Sequence, residues 1–288
     1  MPDKKQSVRE RIVALRDIRI LSRADLEHAG LNSKQITAEV RTGRLLRLRN
    51  GVYAHADVPA EVAAAVRFGG RVGCLTLLRL IGVFVLERPS LHVHVSPRLS
   101  RSRRLRPRGA TVHWGTDLEI GDAHAVSFVD AVRQAIRCQT PRAAVATLDS
   151  VLHHRVLTVE QVTQIFRTLP RRFEALLPLV DPSAESGAET FMRLLLRAIG
   201  VPFQTQVQLP GVGRVDFVVD GWLIIECDSR EFHEGWDQQV ADRARDIAAA
   251  RLGYMTIRPI ASDIFDRPTE VRTAIEETLE AMGSRFGR

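Results

Sequence analysis

Apolar and polar positions change period several times along this chain, and each change marks a predicted element. From Val8 to Ile18 apolar residues recur at helical spacing. Ser22-Arg-Ala-Asp-Leu-Glu-His-Ala-Gly30 reads as a short capped helix closing on glycine, and a third helix starts near Ser33 and runs to Arg41. After Gly43, Leu45-Leu-Arg-Leu-Arg-Asn-Gly-Val-Tyr-Ala54 alternates as a strand, an Asn-Gly turn and a second strand. Three short helices and a hairpin predict a winged helix-turn-helix over residues 1–56.

Residues 57–182 predict an α/β middle domain. Leu91 to Ser96 and Ala110 to Trp114 alternate like strands, and amphipathic helices are expected at Ser127 to Ile136, Pro141 to His153 and Thr158 to Thr168, packing on the middle sheet. Leu169-Pro-Arg-Arg172 and Asp181-Pro-Ser183 bracket the entry into a third domain, residues 183–288. There the pattern reads as a helix from Ser183 to Gly200, strands at Phe203 to Leu209, Arg214 to Val219 and Trp222 to Asp228, a helix from about Trp236 to Leu252, a strand at Tyr254 to Ile260 and a helix from Pro268 to about Met282. The chain is thus a multidomain α/β protein whose last domain runs α-β-β-β-α-β-α.

The densest chemistry lies in the hairpin of that last domain. Asp220-Gly221 is a type I′ turn signal, so Asp216 and Glu226 fall on adjacent strands. With side chains alternating faces, Glu226 and Asp228 share one side while Cys227 points to the other. Three carboxylates on a largely buried sheet repel one another and pay for desolvation unless a cation neutralises them. Hard oxygen ligands with room for phosphate oxygens suit Mg²⁺, or Mn²⁺ in its place. The plain alternative is a solvated sheet face carrying incidental acids.

The element order, an acid on the first helix (Glu189), Asp216 on the second strand and Glu226-Cys-Asp228 on the third, resembles the PD-(D/E)XK nuclease superfamily. More narrowly, Val215-Asp-Phe217, Ile225-Glu-Cys-Asp228, His233, Asp242-Arg-Ala-Arg-Asp246 and Gly253-Tyr-Met-Thr-Ile-Arg258 resemble the domain of unknown function 559, a relative of the very-short-patch-repair (Vsr) mismatch endonuclease. The resemblance spans about Ser183 to Arg258. It implies a restriction-endonuclease-like core in which Asp216 is the central metal ligand, Glu226 and Asp228 complete the acidic cluster, Glu189 supports it and His233 assists the attacking water or the leaving group. Asp228 stands where the superfamily has lysine, as in the domain-559 group, and Ser229 where that group has glycine, which points to a weakened or altered site. Asp242, Arg245 and Asp246 are otherwise explained as helical charge pairs.

Charge adds a substrate class. The 288 residues hold 41 Lys and Arg against 34 Asp and Glu, a net +7, which favours a polyanionic partner. In the N-terminal domain the third helix offers Lys34, Gln35 and Arg41 to a major groove, while Arg44, Arg47 and Arg49 around the wing meet phosphates. Leu46-Arg-Leu-Arg-Asn-Gly-Val-Tyr53 resembles the N-terminal domain of AbiEi-type abortive-infection antitoxins, over about residues 8–55. Arg98 to Arg108 carries six arginines in eleven residues, Arg101, Arg103 and Arg104 among them, without aromatics for base stacking. Phosphate contact there competes with a solvated charged loop.

Other signals narrow the class. Cys74, Cys138 and Cys227 are far apart and form no Cys-x-x-Cys pair, so they read as reduced core residues. His92 and His94 share a strand face with His113 on the next strand, but with no cysteine near in sequence and no second spaced pair a zinc site is not expected. A polar start and no long apolar run predict a cytoplasmic protein away from membranes. The sequence therefore predicts a protein that binds duplex DNA and hydrolyses its phosphodiester bonds with a metal. The competing class is a DNA-binding regulator or antitoxin-like protein with an inactive nuclease fold, and a third is a metal enzyme acting on RNA or a small phosphorylated molecule. A protein partner or a homodimer fits any of these.

Overall fold

A computed structural model of the chain describes residues 6–86, 90–96, 109–228 and 236–283. It is a mixed α/β protein in two compact units, Met1–Leu177 and Pro178–Arg288, the division falling inside a 3-10 run at Arg171–Leu179. Among the described residues no helix is long and apolar enough to cross a membrane.

Unit 1 opens with helices α1 (Val8–Asp17), α2 (Arg23–His28) and α3 (Ser33–Arg41) and strands β1 (Leu21–Ser22), β2 (Leu45–Arg49) and β3 (Val52–His55), in a sheet ordered β1-β3-β2. Capping chemistry fixes all three helix starts. Ser7 with Glu10, Ser22 with Asp25 and Asn32 with Gln35 each form a reciprocal box that satisfies otherwise orphaned backbone amides. Leu26, Ile36, Leu45 and Tyr53 make the local core.

The chain continues through α4 (Ala60–Phe68), β4 (Arg71–Val72), α5 (Cys74–Leu80), β5 (His92–Val95), β6 (Thr111–Trp114), α6 (Phe128–Cys138), α7 (Pro141–His153) and α8 (Val159–Arg167). The second sheet is ordered β4-β5-β6, with β5 antiparallel to β4 and parallel to β6. Helix α5, which the periodicity does not predict, lies on β5, and α6 packs on α5, α7 and α8 rather than chiefly on the sheet. The reason is compositional: Cys74, Leu75, Thr76, Leu77, Leu78 and Leu80 are all buried, so α5 has no polar face to reveal a helical period.

Unit 2 comprises α9 (Gly187–Ile199), β7 (Phe203–Leu209), β8 (Gly213–Val219), β9 (Leu223–Ile225), α10 (Trp236–Arg251), β10 (Met255–Ile257), α11 (Ala261–Asp266) and α12 (Pro268–Gly283). Its sheet is ordered β10-β9-β8-β7, antiparallel from β7 to β9 and parallel between β9 and β10. Asp220 and Gly221 adopt φ of 49° and 77°, the two left-handed positions a type I′ turn needs. Helix α11 interrupts what the sequence pattern leaves as a connection, and β9 stops at Ile225, short of its predicted end.

One buried carboxylate organises the end of unit 1 that carries α6. Asp130, with no exposed surface, accepts hydrogen bonds from the amides of Leu118 and Glu119 and from Ser127 Oγ, and pairs with Arg133 at 2.8 Å. Replacing it strands those donors and a guanidinium, so Asp130→Ala is expected to cost about 3 kcal/mol in urea denaturation. A loss below about 1 kcal/mol would show the network to be dispensable.

Candidate carboxylate site and nucleic-acid face

Asp216 and Glu226 lie near one end of the unit 2 sheet, with Glu189 electrostatically coupled to Asp216; among the described residues no three carboxylates gather as closely as the ligands of one ion. Phe217 pairs with Ile225, and one residue further along the same register Asp216 stands opposite Glu226. Asp216, half-buried, accepts a hydrogen bond at Oδ2 from the Cys227 amide at 2.8 Å. Glu189 projects from the first turn of α9, where Ser186 caps the helix, and is only 6% exposed. Its Oε2 accepts from the Glu185 amide at 2.8 Å and from Gln206 Nε2 at 2.9 Å.

Gln206 lies on β7 directly across from Asp216 with φ of 53°, a left-handed conformation rare for a side chain of its size. The β7–β8 pairing skips that position, and the Gln206 amide turns to Glu189. Strain of this kind is characteristic of functional sites.

Glu226 is satisfied differently. It receives Arg245 of α10 on Oε1 at 3.0 Å and Arg258, just past β10, on Oε2 at 3.1 Å. Arg245 also donates to the carbonyls of Val212 and Arg214, tying α10 to the start of β8. Arg258 in turn pairs with Asp246 at 2.6 Å, so Asp246 serves a strand-to-helix ion pair and not the helical pair expected of it. Arg245 does reach Asp242 one helical turn away, at 3.7 Å. Asp228 is exposed; its backbone bridges to Ile260, beyond the end of β9, and its carboxylate has no ion-pair partner among the described residues. His233 lies outside the described residues.

Burial raises Glu189 to about 7, with the neighbouring Asp216 charge adding to the effect. Burial also raises Asp216, against the amide of Cys227, and raises Glu226, against Arg258 and Arg245. Glu189 and Glu226 each feel Asp216, so the three acids form one electrostatic unit. Gln206, Arg245 and Arg258 are the members that sequence reasoning did not assign to the site. Only the Arg258 and Arg245 positions within the domain-559-like motifs hinted at them.

On unit 1, Lys34, Gln35, Arg41, Arg44, Arg47 and Arg49 are all exposed. They are not equally available. Gln35 closes the α3 capping box on the Asn32 amide, Arg44 makes a two-pronged ion pair with Glu39 at 2.6 Å, and Arg47 bonds the Asn50 side chain in the turn at 2.7 Å. Lys34, Arg41 and Arg49 have no such partner among the described residues. Arg101, Arg103 and Arg104 lie outside the described residues.

A second group of ligand-type side chains sits in unit 1, where none was expected: Cys74, His92, His113 and Cys138 bring their ligand atoms within 4.8 Å of one another, close enough to hold a metal ion. The cysteines are distant in sequence from the histidines and arrive from α5 and α6. His94, which shares a strand face with His92, goes elsewhere, meeting Gln134 at 3.0 Å and Asp117 at 3.1 Å.

Comparison with known proteins places the chain in a family. It is 30% identical over 274 residues to the uncharacterized proteins MT2308 of Mycobacterium tuberculosis strain CDC 1551 / Oshkosh and Rv2248 of strain ATCC 25618 / H37Rv. The match covers 87% of this chain and 98% of each relative, and the chain belongs to their family. No protein-family profile matches it.

The raised Glu189 gives a pH signature. Between 4.5 and about 7 the folded protein holds a proton that the unfolded chain releases, so stability falls as pH rises through this window and levels off above it. Glu189→Gln is expected to flatten that decline in denaturation midpoints taken on either side of the window. Parallel curves for the two proteins would remove Glu189 from the coupled site.

Proposed function

We propose that this protein binds duplex DNA through unit 1 and cleaves phosphodiester bonds with a Mg²⁺ or Mn²⁺ site on unit 2. The observation that carries the reading is the pair Asp216 and Glu189. Both are buried or half-buried and raised by burial, and neither has an ion-pair partner among the described residues. Each keeps a carboxylate oxygen beyond the one its amide partners use. Such oxygens fit a hard divalent cation, whose charge offsets the repulsion.

In this reading Asp216 and Glu189 hold the ion, with Glu226 at the edge of the site. Bound there, a divalent ion supplies charge neutralisation at the scissile phosphate and a more acidic water. Glu226 fixes Arg245 and Arg258 side by side, and their guanidiniums offer paired N–H donors suited to phosphate oxygens. They would stand in for the lysine that Asp228 replaces. The fold expected for such chemistry is the PD-(D/E)XK core, and the α1–α3 segment with its β2–β3 hairpin would act as a winged helix-turn-helix.

Charge divides between the units in the same sense. Unit 1 holds 29 Lys and Arg against 16 Asp and Glu, and unit 2 holds 12 against 18. A basic unit attracts the polyanion, and an acidic one attracts cations. Lys34, Arg41 and Arg49 are the phosphate contacts of choice. Each change to Ala is expected to lower the slope of log affinity against log salt by about 1, measured by fluorescence anisotropy on duplex DNA; an unchanged slope for all three would move the contact surface off this face.

A second reading is favoured by Glu226, whose negative charge is already met by two arginines of the same chain. On it the protein is a DNA-binding regulator that does not cut. Supercoiled plasmid incubated with Mg²⁺, Mn²⁺ or EDTA decides between them. We expect metal-dependent nicking that Asp216→Ala lowers more than about a hundred-fold, since even outer-sphere partners of metal ligands are worth about 10–100-fold. Intact plasmid under tight, Asp216-independent binding would establish the regulator.

A further inference from the structure

The Cys74–His92–His113–Cys138 group lies in unit 1, whereas the carboxylates belong to unit 2, and four separate elements build it. Cys74 is the first residue of α5, His92 opens β5, His113 is on β6 and Cys138 ends α6. His92 Nδ1 lies 3.0 Å from His113 Nε2, and Cys138 Sγ lies 3.6 Å from the same His113 nitrogen. The two imidazoles stack with ring centres 5.3 Å apart, and the Cys74 and Cys138 sulfurs lie within 4.8 Å of each other.

Metal-free chemistry serves this group poorly. His113 Nε2 faces an imidazole nitrogen and a sulfur at once, and a single proton on it can satisfy only one well. All four ligand atoms lie within 4.8 Å of one another, as the ligands of a single ion must. A tetrahedral zinc with bonds of about 2.3 Å to sulfur and 2.0–2.1 Å to nitrogen places its ligand atoms about 3.3–3.8 Å apart. The 3.0 Å and 3.6 Å separations already stand close to those values.

The surroundings support the same conclusion. Cys74 has φ of 49°, a left-handed conformation that costs a residue with a Cβ, at the first position of α5. The His92 amide is held by Thr76 Oγ1 of α5 at 2.8 Å, so the helix and strand that supply two of the ligands are tied directly together. Cys74 and His92 are buried, His113 is partly so and Cys138 lies at the surface, which gives an ion a path in.

We propose that Cys74, His92, His113 and Cys138 form a structural zinc site. Soft thiolates with imidazoles select zinc over the magnesium suited to the carboxylates. Two thiolates with two neutral imidazoles cancel the dication's charge, as a mostly buried position requires. Four protein ligands leave no open coordination position, so the ion fastens the fold and performs no catalysis. It joins α5 and α6 to the parallel β5–β6 pair, whose strands bracket in sequence the arginine-rich stretch Arg98 to Arg108.

The test uses the full chain purified without a polyhistidine tag and dialysed against a weak chelator. Plasma mass spectrometry is expected to find one zinc per chain, and thiol titration to find Cys74 and Cys138 protected until a strong chelator is added. Cys138→Ser and His113→Ala are expected to lower zinc content at least about ten-fold, while Cys227→Ser retains it. Should those variants fail to fold, cobalt exchanged into the unaltered protein gives an independent readout. Intense tetrahedral ligand-field bands with thiolate-to-cobalt charge transfer support the site. Weak octahedral bands, absence of zinc, or an intact mass showing a Cys74–Cys138 disulfide would each overturn it.

Discussion

The left-handed pair Asp220-Gly221 sets the register of the β8–β9 hairpin, and the carboxylate site inherits its geometry from that register. Period-two alternation makes the constraint strict, because a slip of one residue would carry Asp216 into the apolar layer of Val215 and Phe217 and expel those side chains to solvent. With the register fixed, the Cys227 amide meets Asp216, and the parallel strand β10 delivers Arg258 to Glu226. Arg245 then locks α10 to both the strand start and the acid.

The chain separates its charge problems by kind. Around Glu226 the counter-charges are guanidiniums, which do not deprotonate, so the positive charge facing that acid is constant over any ordinary pH. Around Asp216 and Glu189 the relief comes from amides and a glutamine, which leave net negative charge in place. The Cys and His group is a third arrangement, two sulfurs and two imidazole nitrogens within 4.8 Å of one another with no carboxylate among them. On the proposed readings, these environments would suit cations of different hardness.

Much of the architecture was legible in the residues. Caps and turn signals such as Ser22 with Asp25, Asn50-Gly51, Asp220-Gly221 and Gly200 are local chemistry, and the elements they bound fall where the pattern puts them. What the sequence hid depends on contacts remote along the chain. Helix α5 is buried at every position but Arg79 and so lacks a period, and Cys74 and Cys138 reach the two histidines only through helix packing. Gln206 enters the carboxylate network through a backbone distortion that composition does not signal. Arg44 and Gln35 look like free donors in sequence, yet Glu39 and the Asn32 cap claim them.

Helix α1 shows how tightly the first unit is knit. Its buried Leu15 contributes the backbone carbonyl that accepts from His124 Nε2 at 2.9 Å, across 109 residues of sequence, and the nearly inaccessible imidazole is kept neutral by burial. Released from the rest of unit 1, α1 would lose both the partner of that carbonyl and the cover over Leu15. The α1–α3 segment is therefore a cooperative part of a larger body and not a detachable module. By linkage, a partner that binds α1 only in its packed position would also stabilise the layer around His124.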